Sequence, residues 1–185
     1  MKNTKSKDSE AEHPSPSRSG APQLRLTVQY ATHGEGIPTR PMFRKWVKAA
    51  LTQDAEIVLR VVDEPEGHTL NQSFRGKDYA TNVLTFNYGH DYRVDYPAPR
   101  PLSGDIVLCA PVIEHEARQQ GKNLDAHYAH LTIHGVLHLQ GHEHGEDVEA
   151  EAMEQLEVEI LGRLGYEDPY RETRTDSSKI HDSLG

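Results

Sequence analysis

A chain of 185 residues with 35% hydrophobic content suits one compact domain with polar ends, not two full domains. A single cysteine, Cys109, excludes an intrachain disulfide framework, and no run approaches the ~18 apolar residues of a membrane helix. The net charge of −9 excludes a generally basic surface, so a nucleic-acid partner has to meet a local, one-sided group of cations.

Residues 1–22 hold almost no large apolar side chain and cannot offset the entropy of ordering, so a disordered N-terminal tail is expected. Residues 172–185 read as a flexible C-terminal tail, which leaves one domain over 23–171. No apolar stretch follows the first lysines, so no secretory signal is expected and a cytoplasmic location follows.

Leu24, Leu26, Val28 and Tyr30 alternate with polar residues and predict a half-buried strand. After a turn, Phe43, Trp46, Val47, Ala50 and Leu51 recur at helical spacing. Glu56 to Val62 is apolar on both faces and predicts a central strand. A short helix is expected over His68 to Phe74, stopped at Gly76. A strand follows over Thr81 to Phe86, then a long irregular loop over 87–103. Gly104-Asp105 reads as a turn into a short strand, Ile106 to Leu108, paired with the preceding strand.

Val112 to Gln120 predicts a helix. Asn123 caps another that runs to Gln140 and ends at Gly141. The last helix spans Val148 to Leu164, with Met153, Leu156, Ile160 and Leu164 on one stripe. Glu146, Asp147, Glu149, Glu151, Glu154, Glu157 and Glu159 are expected on its solvated face. The whole predicts a single α+β domain, a small mixed sheet of about four strands packed with about five helices.

The decisive segment is His134-Gly-Val-Leu-His138-Leu-Gln-Gly141-His142-Glu-His144. Residues four apart on a helix share a face, so His134 and His138 can reach one ion. Gly141 can turn the chain back and bring in His144 as third ligand, with His142 the alternative. Three imidazoles leave one tetrahedral position for water, the pattern of a catalytic zinc site. His127 and His130 continue the stripe and are expected to hold hydrogen bonds rather than metal. Asp105 is a candidate to orient a ligand imidazole.

The spacing equals that of metzincin proteases, whose first histidine is followed by a glutamate base; here that position is Gly135, which cannot accept a proton. The same segment resembles the HGxLHLxGxDH signature of the YbeY family of bacterial endoribonucleases. Phe74-Arg75-Gly76-Lys77-Asp78 with Thr81-Asn82-Val83-Leu84-Thr85-Phe86 is similar to that family's YRGKDKPTNVLSF segment. Gly104-Asp105-Ile106-Val107-Leu108 is similar to its GDIVI strand, and Leu164 to Tyr170 to its C-terminal end. Glu143 in place of Asp, and Tyr79-Ala80 in place of Lys-Pro, depart from it.

The resemblance implies a zinc-dependent, single-strand-specific endoribonuclease, active in 16S rRNA 3′-end maturation and ribosome quality control. It implies one zinc ion on His134, His138 and His144, and a catalytic role for Arg75 beside His134. It also implies the small ribosomal subunit and assembly factors such as the GTPase Era as partners. A guanidinium fork suits a phosphodiester that gains charge under attack.

The nucleophile stays open between a water on the metal and the RNA 2′-OH. Lys77, Arg60, Arg44 and Lys48, with Arg40 and Lys45, are further candidate RNA contacts. Arg93 and Arg100 lie among Tyr88, Tyr92 and Tyr96, a mixture that suits single-stranded RNA. Two other readings remain: a metzincin-like protease, and a non-catalytic rRNA assembly factor with a structural zinc.

Overall fold

The computed structural model describes residues 20–89, 100–142 and 147–171. The chain order is β1 (Leu24–Tyr30), α1 (Arg40–Ala50), β2 (Ala55–Val62), α2 (Glu64–Arg75), β3 (Val83–Asn87), β4 (Leu102–Cys109), α3 (Ala110–Gln119), α4 (Leu124–Leu139) and α5 (Asp147–Arg163). The sheet order is β1-β2-β4-β3. β1 and β4 run parallel to β2, and β3 runs antiparallel to β4 at the edge. This is the expected α+β architecture, with β2 central.

The apolar pattern explains the layers. Phe43, Trp46, Val47 and Ala50 turn one face of α1 inward. They pack with Ile57, Leu59 and Val61 of β2, and with Tyr128, Ile133 and Val136 of α4, in the main core. Each such side chain, once buried, contributes roughly 1.5–3 kcal/mol. Val62, Leu84, Val107 and Cys109 form a smaller core on the opposite sheet face, with Leu70 of α2 against it.

Two elements differ from expectation. α2 begins at Glu64, four residues before His68, because the Asp63 side chain accepts from Glu66 N at 3.0 Å and Pro65 sits in the first turn. That capping pattern is a strong helix start. Gly104 and Asp105 lie inside β4, not in a turn. A Cβ on Gly104 would stand 2.6 Å from the Phe86 carbonyl oxygen and 2.7 Å from Leu139 Cδ2 of α4, so this strand position has to be bare. The loop expected over 87–103 shortens to the segment between β3 and β4, of which 90–99 lie outside the described residues. The expected tails lie almost wholly outside them too. Among the described residues, no helix is long and apolar enough to cross a membrane.

Candidate active site

α4 is buried on nearly every side: Tyr128, Ala129, Leu131, Thr132, Ile133, Val136, Leu137 and Leu139 are all in the interior. Its two half-buried histidines, His134 and His138, face a cleft of about 500 Å³. The helix ends where expected. Gly141 takes a φ of 90°, and His142 N donates back to Leu137 O at 3.1 Å, which turns the chain away.

Gly135, between the two histidines, faces the sheet. A Cβ there would stand 3.1 Å from Ile106 Cγ2 and 3.3 Å from Thr85 Cγ2. The bare position lets α4 lie close on β3 and β4. A glutamate at this position would meet packed strands, so the base of a metzincin protease has no counterpart here.

The orientation of His134 is set from behind. Its Nδ1 lies 2.6 Å from Glu157 Oε1, while His130 Nε2 lies 2.9 Å from Glu157 Oε2. The Tyr170 hydroxyl donates to the same Oε2. Glu157 is wholly buried. Burial opposes its ionisation, but hydrogen bonds from His130 and His134, with their charge, outweigh this and lower its pKa to about 2. The sequence analysis put Glu157 on the solvated face of α5; the structure corrects this. It shares the buried stripe of Met153, Ile160 and Leu161, and that spacing was the available signal. Asp105 does not reach the histidines' side of this network: it accepts from the Tyr88 hydroxyl at 2.5 Å.

When the His134 ring is neutral and its Nδ1 donates to the carboxylate, the lone pair is on Nε2. That atom faces His138 Nε2 at 3.1 Å. Two imidazole nitrogens on one tetrahedral zinc at about 2.0–2.1 Å stand about 3.3 Å apart, so the observed spacing fits a shared ion. His130, His134 and Glu157 also bring ligand-type atoms within 4.8 Å of one another, a second possible arrangement for a metal. Their short hydrogen bonds already join those atoms, which favours the holding of His134 over a separate ion. The third expected ligand, His144, and its neighbour Glu143 lie outside the described residues; His142 is half-buried just past Gly141.

Arg75 and Lys77 line the same cleft as His134 and His138, together with Asn71, Thr85 and Asn87. Arg75 comes from the last turn of α2, whose end at Gly76 has φ 67°. Arg60, Arg44 and Lys48 do not line it. Arg60 is paired with Glu66, at 2.7 and 3.1 Å. Arg40 and Arg44 of α1 reach the carbonyls of Val28 and Leu24 on β1, the opposite edge of the sheet from β3. Lys48 and Lys45 are exposed on the same helix. Arg93, Tyr92 and Tyr96 lie outside the described residues. His127, 5% exposed, is bonded through Nε2 to Glu116 at 2.8 Å, the structural role expected for it.

Fold and site define a class: an α+β protein whose central helix can offer paired imidazoles to a metal. Comparison with known proteins narrows the class. The family model described as endoribonuclease YbeY matches residues 33–165. An endoribonuclease YbeY of Nitrosospira multiformis is 62% identical over 156 residues, covering 80% of this chain and 82% of that one. Those of Nitrosomonas europaea and Cupriavidus metallidurans are 62% and 55% identical, covering 80% and 83% of this chain and 85% and 76% of theirs. A solution structure from Thermotoga maritima aligns at 26% identity and a TM-score of 0.46, over 75% of this chain and 91% of that chain. The chain belongs to the endoribonuclease YbeY family.

Proposed function

We propose that this protein is a zinc-dependent endoribonuclease that cleaves single-stranded RNA in the cytoplasm and matures the 3′ end of 16S rRNA, with a part in ribosome quality control. Its catalytic domain is 23–171, flanked by tails at 1–22 and 172–185. The family supports the RNA-cleaving activity. The observation that carries the metal is the 3.1 Å between two Nε2 atoms on the floor of a cleft that also holds Arg75 and Lys77.

In this reading His134, His138 and His144 hold one zinc ion, which when bound supplies Lewis acidity and a water of lowered pKa. Arg75 fits its planar fork to the non-bridging oxygens of the scissile phosphodiester and offsets the charge that grows there. Lys77 adds a weaker point charge. Glu157 keeps the His134 ring in the tautomer and orientation that ligation needs. Arg60, Arg44 and Lys48 would meet RNA only outside the cleft. The small ribosomal subunit and assembly factors such as the GTPase Era are the partners this role calls for.

The test is metal analysis of the purified protein with cleavage of single-stranded RNA by wild type and Arg75→Ala. Stoichiometric zinc, chelator-sensitive cleavage and a crippled variant are expected. Cleavage that survives both complete metal removal and loss of Arg75 refutes the reading. A folded His134→Ala protein that still cleaves points instead to a structural ion.

A further inference from the structure

One wall of the cleft is a strand edge. β3 ends the sheet, and the ladder fixes which of its backbone groups are engaged. Cys109 N donates to Asn82 O at 2.9 Å and Tyr88 N to Ser103 O at 3.0 Å. In the intervening antiparallel register, Val83 opposes Leu108 and Asn87 opposes Gly104. Alternation then aims the N–H and C=O of Leu84 and Phe86 at β4, and those of Val83, Thr85 and Asn87 away from the sheet. These three residues line the cleft. The Val83 N–H is taken by Asn82 Oδ1 at 2.7 Å. Thr85 N–H and the carbonyls of Val83 and Thr85 therefore stand along the edge.

Natural edges are usually blunted by charge, proline or a bulge. The sequence Val-Leu-Thr-Phe-Asn of β3 has no charge and no proline. The edge is also held rigidly to the histidine helix. Asn87 Nδ2 donates to Leu139 O at 2.9 Å, and Thr85 packs against the bare Gly135. A strand edge fixed to α4 in this way keeps its hydrogen-bonding groups in a constant relation to His134 and His138.

We propose that the β3 edge receives the unpaired bases of the RNA strand, with Thr85 N–H and the adjacent carbonyls bonding to the Watson–Crick edge of a nucleotide whose phosphate meets Arg75. This deepens the ribonuclease reading above and rests on it. Every nucleobase carries neighbouring hydrogen-bonding groups on that edge, so a backbone rail accepts any sequence but no base already paired. Single-strand preference then arises from the main chain. An extended peptide uses the same kind of groups. Charge separates the two occupants: Arg75 and Lys77 line the cleft, and no acidic side chain does so among the described residues.

The test exploits proline, which an edge strand tolerates where its N–H faces outward. Thr85→Pro deletes the outward donor, and Thr85→Val keeps it while removing only the hydroxyl. Steady-state cleavage of short single-stranded homopolymers of all four bases is measured with the full chain. Thr85→Pro is expected to raise KM about tenfold for all four, several-fold more than Thr85→Val does, with kcat within about twofold. A wild-type scan of substrates with one abasic nucleotide gives a second arm that needs no variant to fold. One position near the cut is expected to raise KM. An unchanged KM in a folded Thr85→Pro protein overturns the inference, as does an abasic scan with no such position. So does an extended peptide that competes with RNA on wild type but not on Thr85→Pro while RNA itself is bound equally. Cleavage undiminished in folded His134→Ala refutes the metal-dependent ribonuclease reading instead, whatever the edge does.

Discussion

The two halves of α4 carry the same side chain to different ends. His127 and His130, in the first half, are enclosed and each gives one ring nitrogen to a carboxylate, Glu116 or Glu157. His134 and His138, a turn or two on, are half-buried and turn their Nε2 atoms toward each other over a cleft. The members of each pair stand three or four residues apart, about one turn; what differs is the neighbour. A histidine becomes a ligand candidate when its second nitrogen is held from behind and its first has open space before it.

The sharpest way to break this comparison is to delete one member of each pair. His134→Ala should lower RNA cleavage by roughly a thousandfold, since several kcal/mol of charge stabilisation would go with the proposed metal. His127→Ala should keep cleavage near wild type. Equal losses in two folded variants would erase the distinction between the halves.

Next in size is Glu157→Gln, which removes the charge that holds His134. Zinc affinity, read by competition with a chromophoric chelator, should weaken by about 10–100-fold. An unchanged affinity would mean that the ring orients without help.

Stability probes the packing of each half. Gly135→Ala should cost about 1–3 kcal/mol in denaturant unfolding, because Ile106 and Thr85 have to give way. His127→Ala should cost about 1–3 kcal/mol by leaving the Glu116 carboxylate with fewer donors. A neutral result for either would show a more yielding interior than the contacts describe.

The smallest effect is a pH dependence. Burial opposes ionisation of Glu116, but hydrogen bonds from His127 and Asn82 prevail and lower its pKa. A carboxylate depressed in the fold adds stability above its unfolded value, about 4.3, and that increment is lost as acid titrates it. Glu116→Gln should therefore lose less stability than wild type on acidification below about pH 5. Parallel curves for the two proteins would remove Glu116 from the account.

Much of this was legible beforehand, for identifiable reasons. The i, i+4 histidines with a glycine three residues later mark both the helix and its stop. The doubly apolar run Ile57 to Val62 marks the central strand. Glu157 was not legible as a buried group because it stands among many glutamates. Only its phase with Met153 and Ile160 sets it apart, and a charge on an apolar stripe is usually discounted. Arg44 and Lys48 looked like companions of Arg75 because chain position says nothing of which sheet edge a helix covers. Gly104-Asp105 resembled a turn because the pressure of Leu139, 35 positions later in the chain, is a tertiary fact.

The carboxylate and the hydroxyl that steady His134 come from α5 and from Tyr170, both later in the chain than the helix they serve. Synthesis therefore delivers the imidazoles before their support. A nascent polypeptide that has emerged only through α4 carries His134 and His138 without the carboxylate that aims the first of them. An RNA-cutting protein built in this order cannot set its His134 ring until α5 and Tyr170 have followed.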